Sequence, residues 1–384
     1  MRIGIVGARL SGSYACLLLA QMGHEVLLVD SAPETEKPCG GGVTSKALRS
    51  ISWLREQSLP HNEITHLRLS SREGYSGDMP LRNPIHIYAR ATLDNALRQS
   101  ACAAGARFLQ ARAFKFTPYG CGWVIHTSMG EHDVDFLVGA DGATSSVRAS
   151  VAGRFKAEDL SLAMGYYVPG RFHPKTVLAA FQEKGFRGYL WSFPRIDHSS
   201  VGILRWLPEA NAAHLRRTVS DFIATHYPEA SPDQRFYAAR IPCLCRRSLL
   251  AQRVCGVNWA LVGDAAGFAD AITAEGIYYA LRSAELLARA VAAGDPMAYE
   301  RSWREDFGRE LLRAAAWRDR FYAGTFLFRS FIQRALQMTR RSPTVRCLAD
   351  ALISGQKTYG ELGRNLWLRS PRILVELLCH RRPS

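Results

Sequence analysis

The chain of 384 residues contains nine cysteines and 11 histidines, yet it has no CxxC pair and no HxxxH or HxH grouping. The second absence argues against a metal centre. An odd cysteine count, with Cys243 and Cys245 the closest pair, fits a reduced cytoplasmic setting better than a disulfide scaffold. No apolar run is long enough to cross a bilayer, and Met1-Arg2 leads straight into a strand-like segment. Neither a membrane span nor a signal peptide is therefore expected. Ser145 and Ser146 lack a nucleophile-elbow context, which argues against hydrolysis. The arginines are dispersed, without zinc-finger spacing or an RNP-like string, so nucleic acid is not the expected partner. There is no internal repeat and no low-complexity block.

Positive charge, by contrast, is abundant. Lys and Arg number 49 against 34 Asp and Glu, a formal net charge of +15. Such a chain suits anionic partners, either nucleotides or an acidic membrane surface. Its length suggests two to three domain-sized units, with enough apolar residues for a sizeable core.

Residues 2–7 read as a buried strand, 13–22 as a helix and 25–30 as a second strand, a βαβ opening. A Pro- and Gly-rich loop covers 31–44. An apolar stripe marks a helix over 91–104, and short strands fill 106–138 around a turn at Tyr119-Gly120. Residues 161–206 are rich in strand formers. A helix near 211–226 and a strand near 235–241 follow. Beyond Asp295-Pro296 the chain reads as helical and basic.

Four segments carry chemistry. In GARLSG, Gly7 allows a tight turn and Gly12 a close helix–strand approach, so that a helix N-terminus faces a pyrophosphate. Asp30 ends the second strand about 20 residues on, where a carboxylate reaches a ribose hydroxyl. The middle glycine of this pattern is replaced by Arg9, which either points aside or pairs with phosphate. GADGATSSVR, over 139–148, is a strand ending in Asp141-Gly142 before a helix bearing Ser145, Ser146 and Arg148; alone it reads as a structural turn. In ALVGDAAGFADAITAEGIYYAL, over 260–281, a strand delivers Asp264, and Gly276-Ile277 opens an apolar helix. Asp264 can accept bonds from ribityl hydroxyls, and free N–H groups near Gly276 can face negative charge. Finally, KPCGGGV over 37–43 and GYLWSFPR over 188–195 place Cys39, Gly40 and Gly42 in one motif and Tyr189 and Trp191 in the other.

The order of these segments resembles the p-hydroxybenzoate hydroxylase-like flavoproteins over most of 1–295. The CGG and YxWxFP motifs, the stretch after Asp270, and Tyr299, Trp303, Phe307 and Glu310 resemble the geranylgeranyl reductase family of FAD-dependent oxidoreductases. The resemblance implies an α/β fold, with a Rossmann-like FAD-binding domain, an inserted strand-rich substrate domain and a C-terminal helical region. It implies an FAD domain of 1–60, 90–155 and 256–295, a substrate domain of 61–89 and 156–255, and a helical region over 296–384.

It further implies that Gly7, Ser11 and Gly12 lie at the FAD pyrophosphate and Asp30 at the adenosine ribose. Arg90 matches an arginine that contacts the cofactor, and Ala111 lines the adenine site. Asp264 takes the ribityl–phosphate region, and Gly276 and Ile277 the isoalloxazine edge. Cys39, Gly40 and Gly42 line the flavin ring and substrate entrance, with Cys39 the candidate catalytic residue. Tyr189 and Trp191 wall the substrate cavity. Where the family commonly has Pro and Gly, this chain has Ala271 and Ala274, which changes backbone freedom beside the flavin.

Several bland alternatives stand beside these roles. Cys39 also suits a small buried hydrophobe, and alternating Tyr189, Trp191 and Phe193 suit ordinary core. Glu275 also suits a helix N-terminus electrostatically. The expected activity is reduction of isoprenoid carbon–carbon double bonds by hydride from reduced flavin. No second dinucleotide fingerprint identifies the external reductant, so NAD(P)H and a low-potential carrier both stay open. A flavin monooxygenase or halogenase acting on an aromatic or polyketide shares the fold, and a non-catalytic lipid-binding flavoprotein is a third reading. In the tail, Phe326, Leu327, Phe331, Leu366, Leu368 and Leu374 interleave with arginines. That pattern suits a helical cap with a solvated cationic face, or a peripheral surface on the inner face of an anionic membrane.

Overall fold

The computed structural model describes residues 1–379 except 73, 75, 171, 232 and 327, so Leu327 lies outside the described residues. The chain divides into two compact units. The first comprises Met1–Lys37, Ala89–Leu160 and Arg240–Ala315, and the second Pro38–Tyr88, Ser161–Ala239 and Ala316–Ser384.

The first unit is built on a six-stranded sheet. Its order is Cys255–Gly256, Trp259–Leu261, Phe136–Gly139, Arg2–Val6, Glu25–Asp30 and Arg107–Gln110. All neighbours are parallel except the short edge pair at 255–260. The strand Arg2–Val6 is apolar in four of five positions because both of its faces are covered. Gly4 is the exception in size: a Cβ there would meet Ile125 and Val134 of a three-stranded antiparallel sheet, Ala113–Tyr119, Gly122–Thr127 and Gly130–Val134. The helix Leu10–Gln21 is buried on nearly every side and packs against the helices Arg90–Ala103 and Ile277–Ala292. Its sequence SGSYACLLLA is accordingly small or apolar all round rather than amphipathic.

The topology fixes where a ligand can sit. From Arg2–Val6 the chain winds one way to Glu25–Asp30 and Arg107–Gln110, and the other way to Phe136–Gly139 and Trp259–Leu261. The order therefore reverses at the Arg2–Val6 strand, and ligands in such sheets bind outside the carboxyl ends of the strands at that reversal. Asp30 is the last residue of its strand, and Gly7, Asp141 and Asp264 follow the carboxyl ends of theirs.

The second unit holds an eight-stranded sheet, in the order Arg235–Ile241, Ser161–Pro169, His198–Trp206, Gly188–Pro194, Thr176–Phe181, Asn62–Ser71, Ser76–Ile87 and Gly42–Val43. Its pairs are antiparallel except Thr176–Phe181 with Asn62–Ser71. The helix Ala212–His226 presents Leu215, Val219, Phe222 and Ile223, one helical face, to Val168, Leu178, Leu190, Val201 and Ile203. Near the other end of the sheet, Ile64, Met79 and Ile85 pack with Ala349 and Ile353 of the helix Pro343–Ile353. Residues 38–60 lie in this second unit, where Gly42–Val43 pairs with the end of Ser76–Ile87. The segment 296–384 is shared between the units: residues to Ala315 belong to the first and those from Ala316 to the second. Among its described residues the regular elements are helices and a small hairpin, Thr325–Phe326 with Arg329–Ser330.

Candidate functional site

In the first unit the glycines of the opening turn are sterically required. Gly7 has φ +105°, and a Cβ there would lie 2.4 Å from the Ala140 carbonyl oxygen. A Cβ on Gly12 would lie 1.8 Å from the Gly7 oxygen. The helix that begins at Leu10 has no side-chain cap and no acidic residue in its first turn, so its first N–H groups remain available to an anion. Ser11 is buried at that terminus. Arg9 points aside. Its guanidinium bonds the Ala32 carbonyl and the Thr35 hydroxyl, each at 2.8 Å, also meets the Thr35 carbonyl, and lies 3.5 Å from Asp94. It therefore fastens the 31–35 loop instead of occupying the turn.

Asp30 ties the same turn together, accepting from the Ala8 N–H at 2.8 Å and the Ala32 N–H at 2.9 Å. A carboxylate has about four lone-pair sites, so two amides leave capacity for a ribose hydroxyl. Ala111 follows the strand Arg107–Gln110, donates to the Asp30 carbonyl at 3.1 Å and packs on Leu27 and Val29. Arg90 is buried, and its guanidinium meets both oxygens of buried Asp94, at 2.8 and 3.2 Å. Burial of a guanidinium demands such a partner. Its own N–H donates to Glu36 at 2.8 Å.

Around 260–281, Val262 continues the ladder by donating to Gly139, and Gly263 turns the chain at φ +57°. Asp264 then meets the Lys37 ammonium at 2.7 Å. Gly276 is a neighbour, for a Cβ on it would lie in ordinary contact, 3.5 Å from an Asp264 carboxylate oxygen. The loop before the helix closes on Asp270, whose carboxylate accepts from the Ile272 and Thr273 N–H groups at 2.8 Å. Glu275 accepts from the Tyr278 N–H at 2.8 Å and so satisfies one of the free N–H groups in the first turn of the helix Ile277–Ala292. Ala274, between them, is held at φ +57°. Glycine adopts that conformation freely, whereas a Cβ makes it strained. Ala271 is buried and has no such outlier.

Asp141 acts as a helix-end acceptor, bonding Ser145, both the N–H and the hydroxyl of Ser146, and the Val147 N–H. Arg148 runs inward over the Phe155 ring, 3.8 Å from its centroid, to Gln252 at 3.2 Å and the Ala265 carbonyl at 3.3 Å. Burial pushes its guanidinium down to about 10. The Asp141-Gly142 segment is thereby joined to the Asp264 segment.

In the second unit two motifs far apart in sequence meet. The Phe193 ring lies against the glycine loop, 2.8 Å from a Cβ placed on Gly40 and 3.2 Å from one on Gly42. Gly41, at φ +81°, passes so near the Tyr88 carbonyl that a Cβ would stand 2.1 Å from its oxygen. The Cys39 carbonyl is clamped by two donors, the Arg195 guanidinium at 2.8 Å and the Ser200 hydroxyl at 3.1 Å. Ser200 is within 2.8 Å of the Tyr237 hydroxyl, whose ionisation burial pushes upward. Arg195 is 1% exposed, contacts His198 at 3.1 Å and lies over the Tyr167 ring. The Cys39 sulfur accepts from the Gly41 N–H at 3.3 Å.

Tyr189, Trp191 and Phe193 share one face of their strand. Trp191 is buried, fitting where Gly202 leaves room, while half-buried Tyr189 joins Phe181, Phe321 and Tyr322. The structure thus gathers Gly7, Ser11, Gly12, Asp30, Ala111, Asp264, Gly276 and Ile277 near one edge of the first sheet. Cys39, Gly40, Gly42, Tyr189 and Trp191 belong to the second unit. Lys37, Ser200 and Tyr237 were not singled out by sequence reasoning, and Arg195 appeared there only as the last residue of a motif. All nine cysteines are free, and among the described residues no cluster of His, Cys, Asp or Glu is arranged to hold a metal ion.

The FAD binding domain family model matches residues 1–294. The digeranylgeranylglycerophospholipid reductase of Methanothrix thermoacetophila is 28% identical over 80% of this chain and 84% of its own length. Among solved structures, a geranylgeranyl bacteriochlorophyll reductase-like protein from Thermoplasma acidophilum superposes with a TM-score of 0.78. It covers 95% of this chain and 98% of that one at 20% identity. The halogenase PltM, in complex with phloroglucinol and FAD, has a TM-score of 0.65, with 92% and 86% coverage at 17% identity. At these identities the solved structures speak to the fold. The glycine cradle, the uncapped helix terminus and the two strand-end carboxylates are the donors and acceptors a dinucleotide flavin requires. The chain belongs to the FAD binding domain family and is an FAD-dependent oxidoreductase whose sequence is similar to reductases of the geranylgeranyl type.

Proposed function

We propose that the protein reduces carbon–carbon double bonds of an isoprenoid lipid. The observation that carries this reading is the packing of the CGG loop on Phe193, with the Cys39 carbonyl clamped by Arg195 and Ser200. The reductase-named relatives support the substrate class. In this reading reduced flavin, once bound, would supply hydride to one alkene carbon while a proton reaches the other, and NAD(P)H or a low-potential carrier would re-reduce the resulting FAD. Gly7, Ser11 and Gly12 hold the pyrophosphate, Asp30 the adenosine ribose and Ala111 the adenine side. Arg90, already paired with Asp94, shapes the adjoining loop through Glu36. Asp264 and Lys37 take the ribityl–phosphate region, and Gly276 and Ile277 approach the ring.

An isolated alkene has no carbonyl to polarise, so alignment and exclusion of water carry most of the residues' contribution. Cys39, Gly40 and Gly42 provide a rigid, narrow wall, and Tyr189 and Trp191 an aromatic one. The Arg195–Ser200 clamp holds that wall in register. A substrate of this kind resides in a membrane, which puts the protein at a membrane surface as a peripheral protein. No helix among the described residues is long and apolar enough to cross one.

The test is anaerobic reoxidation of the reduced holoenzyme, followed by flavin absorbance. Geranylgeranyl lipids should reoxidise the flavin, and their saturated counterparts should not. Reoxidation only by oxygen, with hydroxylated or halogenated product, would overturn the proposal.

A further inference from the structure

Two helices near the end of the described chain present an apolar face that no described residue covers. The helix Ser370–Cys379 is fixed by Ile373, which is buried, and by Glu376, which accepts from Ser342 and from the N–H and hydroxyl of Thr344. Its opposite side consists of Pro371, Leu374, Val375 and Leu378, at i, i+3, i+4 and i+7 spacing. Leu374 is 59% exposed, Val375 58% and Leu378 52%. The preceding helix, Tyr359–Leu368, ends in three consecutive exposed apolar residues: Leu366 at 42%, Trp367 at 75% and Leu368 at 60%. Scattered exposed leucines need no explanation, but a run of this density does.

The charge on the same helices has one sign outward. Arg364 and Arg369 are exposed, and so is Arg372, which pairs with Glu376 at 3.0 Å on its own helix. The two acidic residues of these helices are engaged locally: Glu361 closes the capping box with Thr358, and Glu376 holds the Ser342–Thr344 turn. An aromatic and aliphatic face rimmed by arginine complements the headgroup–acyl boundary of an anionic leaflet. It complements a second copy of itself poorly, since a two-fold pairing of this face would set arginine against arginine.

We infer that the outward face of Tyr359–Leu368 and Ser370–Cys379 seats the protein on an anionic phospholipid surface. Trp367 and the leucines enter the acyl boundary, and Arg364 and Arg369 pair with lipid phosphates. The inference rests on the isoprenoid-lipid reading for its purpose, but its physical test does not require turnover.

The experiment is co-sedimentation of the FAD-loaded full chain with vesicles of phosphatidylcholine alone, or of phosphatidylcholine and phosphatidylglycerol in equal parts. The wild type should bind the mixed vesicles, and added salt should weaken that binding. A Trp367→Ser, Leu374→Ser, Leu378→Ser variant should lose about 100-fold in partitioning, at roughly fivefold per substitution. Neutralising Arg364 and Arg369 as R364Q and R369Q should cost about fivefold each, on anionic vesicles only. Unchanged flavin absorbance and thermal unfolding in both variants identify the loss as one of surface rather than of fold. Absence of wild-type binding to mixed vesicles would overturn the inference. So would serine variants that bind normally but change from dimer to monomer in sedimentation velocity, which would make the face a subunit interface. Failure to reduce any prenyl chain would count against the catalytic reading alone and leave the vesicle result standing.

Discussion

Replacing Ala274 by glycine should stabilise the protein, although glycine ordinarily weakens a folded chain. Ala274 sits at φ +57° in the loop closed by Asp270, immediately before the helix Ile277–Ala292. Its neighbours fix the conformation. The Asp270 N–H donates to the Glu275 carbonyl at 2.9 Å, and the Ala274 N–H donates to the Asp270 carbonyl at 2.9 Å. For an L-residue the left-handed region costs roughly 1–2 kcal/mol, against which glycine loses about 0.4–1 kcal/mol through its freer unfolded chain. The balance favours Ala274→Gly by about 1 kcal/mol, a rise of about 1–2 °C in melting temperature for a chain of this size. Ala274→Val should go the other way, because a β-branched residue tolerates positive φ less well. The assay is thermal and urea unfolding of all three proteins with and without FAD. The order Gly, Ala, Val, from most to least stable, is expected in both states. A glycine variant less stable than the wild type would refute the assignment of strain at this position.

Other consequences follow from the same geometry. Gly12→Ala puts a methyl group 1.8 Å from the Gly7 oxygen, so the purified protein should carry little or no FAD while retaining the circular dichroism of the second unit's sheet. Full flavin loading would contradict the cradle. Asp264→Ala should lower FAD occupancy and leave Lys37 without its 2.7 Å partner; unchanged flavin absorbance would remove the ribityl assignment. Ser200→Ala removes one of two donors to the Cys39 carbonyl, worth about 1 kcal/mol of local order. It should lower kcat several-fold with FAD still bound, as should Cys39→Ser, and unaltered turnover in both would return Cys39 to a packing role. The His86 ring, stacked on His61 at 4.1 Å, has its protonation lowered first by burial and then by His61. Because the folded value lies below the unfolded 6.5, its contribution to stability is complete above that pH and is lost as pH falls below it. His86→Phe should flatten urea-unfolding stability in that acid window, and an unchanged acid slope would show that His86 does not set it.

Much of the first unit is legible in the sequence because its signals are local. Gly7, Gly12 and Asp30 announce a turn whose geometry depends on residues within one βαβ unit, and the helix Ile277–Ala292 starts where Gly276-Ile277 indicates. Arg9 shows the limit of such signals. Its identity raises the question of phosphate contact, but the answer depends on carbonyls at 32–35 that bend back toward it. Ala274 is visible only as a departure from a pattern, and the dihedral angle turns that departure into strain. The clamp on Cys39 is less legible still. Arg195, Ser200 and Tyr237 converge through antiparallel register and burial, and nothing in their spacing shows that a buried guanidinium would serve a backbone carbonyl. In the tail, helical periodicity is readable, whereas the helices' attachment through Glu376 and Ile373 depends on packing with distant residues. The small hairpin Thr325–Phe326 with Arg329–Ser330 has too short a pattern to announce itself.

The central claim is best tested by mass spectrometry of the product after anaerobic incubation of the reduced holoenzyme with a geranylgeranylated glycerolipid. Reduction of isolated double bonds predicts a ladder rising in steps of two hydrogens, with no oxygen or halogen incorporated. An unchanged lipid mass with catalytically competent reduced flavin, or an added oxygen once air is admitted, would contradict it.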